Sequence, residues 1–230
     1  MKTLAMILLL ISGFLCVLSK IIQLPELEFY VKPTVMPLCL MWYWFSDKRF
    51  EFPFLAFLFL SFLVDVLLLV QVEGVFLYVL VCNIFCYSIL FYFLYKNYQP
   101  FRYSKVDVIY LIVFFVGWSV LMYTLYDRGL REGSKDFGPY VVVYMSILYF
   151  VIIGGVLNYV NIRSPKSLWF LIAVVNFFIG DASYALNRFY LPSIEFEVLN
   201  SLYQFLAIFF LVKFKISSGK NLKFDPENQI

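Results

Sequence analysis

The sequence predicts an all-α protein, a polytopic membrane helix bundle of about eight transmembrane helices with a parallel internal repeat. The composition, the length of the apolar runs and a pattern that recurs 116 residues later lead to this prediction. Of 230 residues, 63% are hydrophobic and only 14% charged, and the mean hydropathy is +0.86. Soluble domains average about 45–50% apolar and about 25% charged. A water-soluble fold cannot bury this much apolar surface, so we expect most of it to face lipid or another helix.

Eight apolar runs give the predicted helices in chain order. They cover residues 4–22, 34–45, 53–72, 75–95, 106–126, 140–159, 167–190 and 197–214. Most are about 18–24 residues long, enough to cross a hydrocarbon core of about 30 Å as an α-helix. The run at 34–45 is the exception, because it is short and contains Pro37. It predicts a kinked span or a re-entrant segment, with seven spans as the alternative to eight.

The distribution of lysine and arginine predicts the orientation of the bundle. With eight spans, twelve of the 18 basic residues fall on the side of the C-terminus and six on the other side. Cytoplasmic loops of membrane proteins carry the excess of Lys and Arg. We therefore expect a multi-pass protein of the cell membrane. It has one integral membrane domain, residues 1–216, and a polar cytoplasmic tail, residues 217–230.

The composition also excludes several kinds of site. The chain has no histidine, which excludes Ser-His and Cys-His nucleophiles and histidine-ligated metals. Cys82 and Cys86 share a helix face, but two thiols without further ligands make a poor metal site. We interpret all four cysteines as packing residues and expect no metal and no other cofactor. No basic cluster indicates a nucleic-acid partner, and the pattern predicts no particular oligomeric state.

A carboxylate inside an apolar run occurs twice with similar surroundings. Asp65 lies in SFLVDVLLL and Asp181 in NFFIGDASY, and a tyrosine follows each after 22 residues, Tyr87 and Tyr203. Each unit is a span with an Asp, a short outward loop and a returning span with a Tyr. Four spans separate the units, so both cross the membrane in the same direction, which indicates a parallel repeat.

The depth of the two aspartates favours a shared site. Asp65 lies about seven residues, roughly 10 Å, below the outer end of its run, and Asp181 about nine residues, roughly 13 Å. Intramembrane carboxylates usually face a bundle interior or a wet cavity. The alternative is that each Asp holds helices together through a hydrogen bond to a tyrosine or the backbone. Two carboxylates at matched depth favour one polar cavity.

Further polar residues fall near the predicted mouth of this cavity. Arg188 follows Asp181 by seven positions, hence on the same helix face, and Lys32 precedes Pro33 at the outer end of the second run. We interpret them as a clamp for an anionic headgroup, because a phosphate suits an Arg fork and a Lys charge. Ordinary snorkelling at the membrane interface is the alternative. Further candidates for the cavity wall are Asn187, Tyr184 and Gln204.

These residues resemble the motifs of the YhhN family of lysoplasmalogenase-like membrane proteins. KPTVMPL at 32–38 is similar to the Lys-Pro opening of that family, and SFLVD at 61–65 to its first Asp motif. FIGD at 178–181, followed by NRF at 187–189, resembles the second Asp motif. Tyr87 and Tyr203 fall where the family places tyrosines in the returning helices. The resemblance spans about residues 30–212.

The resemblance implies an eight-helix membrane enzyme that hydrolyses the vinyl ether bond of lysoplasmalogens, with a lysophospholipid substrate drawn from the membrane lipids. The products would be a fatty aldehyde and a glycerophospho-base. Asp65 and Asp181 would be the catalytic pair. The substrate-binding residues would be Lys32, Tyr87, Asn187, Arg188 and Tyr203.

The sequence departs from the family pattern at three positions. Ile84 stands where the family commonly has a His, Val64 where it has a Gly, and Ala207 where a Gln is frequent. These departures leave the predicted fold unchanged and bear on the activity. One alternative is therefore a relative that binds lysolipid without cleaving it. A proton-coupled small-solute transporter is the other, since such carriers also combine parallel repeats with intramembrane acids.

The chemistry of vinyl ether cleavage suits two carboxyl groups. A proton delivered to the β-carbon creates an oxocarbenium ion, which water then captures. Glycosidases meet a similar oxocarbenium problem with paired carboxylates. An Asp pair therefore suits the reaction without a metal or a histidine.

Overall fold

The structure is a computed structural model that describes residues 1–47, 51–70, 74–97, 105–127 and 138–219. In these ranges every regular element is a helix, which confirms the all-α fold. The helices are α1 (Lys2–Ile21), α2 (Pro25–Val31), α3 (Val35–Asp47), α4 (Phe52–Val70), α5 (Val75–Lys96), α6 (Lys105–Leu125), α7 (Gly138–Ile162), α8 (Pro165–Phe189) and α9 (Ile194–Gly219), with a 3₁₀ turn at Lys32–Thr34.

Seven of the helices in the described ranges are long and apolar enough to cross a membrane: α1 and α4 to α9. Each begins and ends within a few residues of its predicted run, since the charged and Pro/Gly breaks that bound the runs also end the helices. This architecture fits a multi-pass membrane protein. The last helix extends to Gly219, so residues 217–219 of the predicted polar tail are helical. The rest of the tail lies outside the described residues.

The second predicted span is a broken helix and not an eighth full span. Helix α3 has 13 residues, or about 20 Å, too short for a hydrocarbon core of about 30 Å. The 3₁₀ turn joins it to α2, so the chain is helical from Pro25 to Asp47 with an interruption in the middle. Pro33 explains the interruption, because its ring and missing N–H disrupt the α-helical hydrogen bonding. The Thr34 hydroxyl donates to the carbonyl of Val31 at 2.7 Å and satisfies one backbone acceptor there.

Helices α8 and α9 form the antiparallel pair on which the bundle is built. Helices α1 and α3 pack on α9, α7 packs on α8 and α5, and α4 packs on α5. Helix α6 lies at the periphery against α7, with apolar side chains such as Val113 65% exposed. The α4–α5 and α8–α9 pairs of the predicted repeat are thus both packed hairpins. Their loops, which contain Gly74 and residues 190–193, mark what we term the mouth end of the bundle.

Candidate functional site

A cavity of about 780 Å³ runs into the bundle from the mouth end. Helices α4, α5, α8 and α9 supply most of its wall, and α1 to α3 and α7 complete it. Its lining residues run from Leu69 to Phe57 in α4 and from Phe189 to Phe177 in α8, about 18 Å along each helix. Both predicted aspartates line this cavity.

The two aspartates lie at different depths. The rings of Phe57 and Phe177 contact edge to face, 5.8 Å apart, and mark one level at the cavity floor. Asp181 lies four residues, about 6 Å, above Phe177, whereas Asp65 lies eight residues, about 12 Å, above Phe57. The sequence predicted that the two aspartates lie at matched depth. In the structure Asp65 lies about one helical turn closer to the mouth than Asp181.

Asp181 is held by three neutral hydrogen-bond donors from three helices. The hydroxyls of Tyr87 on α5 and Tyr144 on α7 both donate to its Oδ2. The side-chain amide of Gln204 on α9 donates to Oδ1 at 2.6 Å. The rings of Tyr87 and Tyr144 stand edge to face at 5.5 Å, which fixes the two hydroxyls side by side. The carboxyl group is thus oriented from both of its oxygens.

Gly180 makes room for the amide that holds Asp181. A Cβ atom at this position would lie 3.1 Å from both Cγ and Nε2 of Gln204. Contacts of that length force a neighbour to shift in a close-packed interior. The missing side chain therefore lets α9 bring Gln204 against the face of α8 that carries Asp181.

Asp65 instead faces a cation. Its Oδ1 lies 3.6 Å from Nζ of Lys32, which in turn lies 3.7 Å from Oε1 of Glu28. The other oxygen of Glu28 pairs with Lys20 at 2.7 Å, and Lys20 reaches Glu197 at 3.4 Å. Charges of alternating sign thus connect α4 to α9 along one side of the cavity. The broken helix makes this possible, since its 3₁₀ turn carries Lys32 to the level of Asp65.

Arg188 has neutral partners among the described residues. Its guanidinium lies over the ring of Phe76 at 5.6 Å and donates to the hydroxyl of Tyr184 at 3.4 Å. The neighbouring Asn187 accepts a hydrogen bond of 2.7 Å from the backbone N–H of Ser193 and so fixes the loop after α8. Both residues line the cavity at its mouth. Among the described residues, Arg188 thus contacts neutral groups, whereas Lys32 contacts carboxylates.

The sequence pattern of the YhhN family matches residues 27–213. The chain belongs to the YhhN family. No curated protein and no solved structure matches the chain. The match includes every site residue predicted from the sequence. It does not include α1, and two residues of that helix, Cys16 and Lys20, also line the cavity of this YhhN protein.

The structure separates one predicted site residue from the others. Tyr203 is half-buried and is not among the residues that line the cavity, and its neighbour Gln204 faces Asp181 instead. Tyr87 lines the cavity as predicted but reaches the Asp of the other repeat unit. The 22-residue spacing between each Asp and Tyr placed these residues on the correct helices. It did not reveal which tyrosine contacts which aspartate.

Sequence reasoning missed Tyr144, Glu28, Lys20 and Glu197 as members of the site in this YhhN protein. Tyr144 is one of 18 tyrosines, and nothing in its own apolar run distinguishes it. Glu28 stands in a short polar stretch after the first run, which gave no sign that it returns to the cavity. Gln204 carried the clearest signal, as an amide within an apolar run.

Aromatic packing closes the bundle beyond the cavity floor. Phe54, Phe93, Phe170 and Phe214 are each at most 2% exposed and come from α4, α5, α8 and α9. Phe93 and Phe170 both lie against Phe214, with ring centroids 6.4 Å and 5.1 Å apart. The cavity of this YhhN protein is therefore entered from the mouth end, and a layer of phenylalanines separates it from the opposite end.

Proposed function

We propose that this YhhN protein hydrolyses the vinyl ether bond of lysoplasmalogens to a fatty aldehyde and a glycerophospho-base. One observation carries the proposal: two half-buried carboxyl groups with different partners line a single cavity. Asp65 pairs with a cation and Asp181 with neutral donors. Acid catalysis through an oxocarbenium ion needs such a division between a carboxylate and a proton donor.

The partners suggest which aspartate has which role. Lys32 forms an ion pair with Asp65, and that interaction requires Asp65 as a carboxylate. Asp181 faces hydroxyls and an amide, and a hydroxyl serves equally as donor or acceptor. Asp181 can therefore carry a proton without losing its partners. We assign the acid to Asp181 and the counter-carboxylate to Asp65.

The proposed reaction has three steps, which are protonation of the vinyl ether, addition of water and collapse of the hemiacetal. The Asp181 O–H bond breaks as its proton bonds to the β-carbon of the vinyl ether, using the electron pair of the C=C bond. The resulting oxocarbenium ion is stabilised by the Asp65 carboxylate. Water adds to the α-carbon and loses a proton to the Asp181 carboxylate, which restores the acid. The hemiacetal then collapses: its O–H proton passes to the leaving glycerol oxygen as the C–O bond breaks, which gives the aldehyde and the glycerol hydroxyl. One water molecule is consumed.

The mouth of the cavity suits the phosphate of such a lipid. A phosphate at Arg188 would accept charge-assisted hydrogen bonds from the guanidinium. Arg188 lies seven residues, about 10 Å, above Asp181 along α8. This separation leaves room for the glycerol unit between the headgroup and the reacting bond.

The test is aldehyde release by purified protein from lysoplasmenylethanolamine. The matched control is the saturated 1-alkyl ether lipid, which has the same headgroup and lacks the C=C bond that accepts the proton. We expect aldehyde from the vinyl ether lipid alone. Binding of both lipids without aldehyde would identify a non-catalytic lysolipid-binding relative, in keeping with Ile84 at the position of the family's His. Absence of both binding and cleavage contradicts the proposal.

The phenylalanine layer supports an enzyme over the alternative of a transporter. A carrier must open its site alternately to both sides of the membrane. Here Phe54, Phe93, Phe170 and Phe214 fill the bundle between the cavity floor and the opposite end. A site reached from one side suits a hydrolase that takes its substrate from one leaflet.

A further inference from the structure

Three lysines meet at the end of the bundle opposite the mouth. Lys96 lies at the end of α5, Lys166 at the start of α8 and Lys215 near the end of α9. Glu51, directly before α4, stands between them, and Asn97 follows Lys96. We refer to Lys96, Lys166 and Lys215 as the lysine cluster. It lies beyond the phenylalanine layer and takes no part in the proposed reaction.

The Glu51 carboxylate lies closer to the ammonium group of Lys215 than to that of Lys96. Lys215 is 4% exposed and donates directly to Oε2 of Glu51, while its ammonium lies 4.2 Å from the centroid of the Phe93 ring. Lys96 reaches the same oxygen only at 4.0 Å and is 56% exposed. Asp47 adds a second negative charge near Lys215. Lys215 thus has the direct contact with Glu51, and Lys96 has only a long contact with the same oxygen.

Lys166 has a neutral partner. Its ammonium donates to Oδ1 of Asn97 at 2.5 Å and lies 5.7 Å from the centroid of the Phe214 ring. Burial by itself raises the pKa of Glu51, but the hydrogen bond and charge of Lys215, with the charges of Lys96 and Lys166, hold that pKa below its usual value. Among the described residues, Glu51 is the acid in contact with the cluster, and its direct hydrogen bond goes to Lys215 and not to Lys166.

We propose that Lys96 and Lys166 bind the phosphate of an anionic phospholipid in the leaflet opposite the cavity mouth. A phosphate between the two ammonium groups would supply the negative charge that the carboxylates of the described residues do not. Lys215 stays paired with Glu51 and stacked on Phe93.

The surroundings favour a lipid over a soluble phosphate. Tyr92 and Tyr95 are 45% and 75% exposed and lie within the last turns of α5, beside Lys96. Exposed tyrosines at the ends of spanning helices mark the headgroup level of a bilayer. The lysines therefore stand where lipid phosphates lie, with apolar helix surface available to the acyl chains.

The experiment measures the thermal stability of the protein in detergent as phosphatidylglycerol is titrated in. Phosphatidylcholine and inorganic phosphate are titrated in parallel. We expect phosphatidylglycerol to raise the melting temperature in a saturable manner and the other two to have little effect, because a lipid that binds only the folded state stabilises it. Lys96→Gln and Lys166→Gln should each weaken the apparent affinity about fivefold, the usual worth of one basic residue at a membrane surface.

Lys213→Gln is the matched control. It removes the same charge from the same end of α9, but Lys213 lies over the rings of Trp169 and Phe209 and not in the cluster. It should leave the affinity for phosphatidylglycerol unchanged. Equal affinity in wild type, Lys96→Gln and Lys166→Gln would overturn the proposal, as would an equal response to phosphatidylcholine. A full response to inorganic phosphate alone would reject the lipid as the ligand.

Discussion

At the scale of single residues, the environment of each aspartate depends on the helices packed beside it. Asp181 receives hydrogen bonds from α5, α7 and α9, and Asp65 pairs with the turn before α3. Buried polar groups without partners are costly, so these contacts stabilise the bundle as well as orienting the carboxyl groups. Catalytic and structural roles therefore have to be separated by measuring turnover and stability on the same variants.

The first prediction concerns the two carboxyl groups. Asp65→Asn and Asp181→Asn keep the shape of the side chain and remove its titratable proton. If the pair performs acid catalysis, each variant should lose at least ~10²-fold in turnover, the usual worth of a positioned proton donor for Asp181 and of a group that stabilises transition-state charge for Asp65. Aldehyde release and the melting temperature are measured side by side. An active variant with a lowered melting temperature would show that the carboxyl group held helices together.

A second prediction concerns Tyr144. Tyr144→Phe removes one hydroxyl from Asp181 and leaves Tyr87 and Gln204 in place. One lost hydrogen bond to a catalytic group corresponds to roughly a tenfold fall in kcat, with KM little changed. Tyr123→Phe on the outer surface of α6 is the control, since Tyr123 is 68% exposed. An unchanged kcat in Tyr144→Phe would remove that hydroxyl from the catalytic site.

At the scale of helices, close approach depends on a few glycines. Gly13 of α1 faces Phe205 of α9, and a Cβ at Gly13 would come within 2.2 Å of that ring. Phe205 also lines the cavity. The contact of α1 with α9 therefore affects the shape of the site, although α1 lies outside the part of the chain that matches the family.

The third prediction tests this contact. Gly13→Ala should lower the melting temperature, because overpacking an interior typically costs about 1–3 kcal/mol. Gly117→Ala on α6 provides the comparison, since nothing lies within 4 Å of the position of its Cβ and Ala favours a helix. We expect Gly117→Ala to be neutral or slightly stabilising. Equal melting temperatures for the two variants would mean that α1 can move away from α9 without loss.

At the scale of the whole molecule, the bundle has two different ends. The mouth end carries the cavity with the two aspartates and Arg188, and the opposite end carries the lysine cluster behind the phenylalanine layer. Positively charged ends of membrane proteins face the cytoplasm. The sequence prediction of a cytoplasmic C-terminus therefore implies a cavity that opens to the outside.

The fourth prediction concerns this orientation. A cysteine in place of Glu195, at the mouth end, should react with a membrane-impermeant maleimide added to intact cells. A cysteine in place of Arg163, at the other end, should react only after the membrane is permeabilised. Both positions are exposed, whereas Cys16, Cys39 and Cys86 are buried. The reverse labelling pattern would place the cavity on the cytoplasmic side.

Most of the fold could be predicted from the sequence, because helix length and apolar composition are local properties. The seven spanning helices follow from runs of the right length, and the predicted weakness of the run at 34–45 was correct. The sequence pointed to Pro37 as the source of this weakness, but Pro37 lies within α3, and Pro33 lies in the turn that interrupts the helix. Whether this region counts as a full span therefore depends on where its α-helix is interrupted, which mean hydropathy does not report.

The sequence by itself determined that this is an all-helical YhhN protein with carboxylates inside two of its apolar helices. Only the tertiary structure decided which side chains meet them. Tyr87 and Tyr144 reach Asp181 across 94 and 37 residues of chain, and Lys32 reaches Asp65 through a break in a helix. Such contacts depend on how each helix is rotated about its axis. In a helix that is apolar on nearly every face, no hydrophobic stripe in the sequence specifies that rotation, so packing against its neighbours sets it.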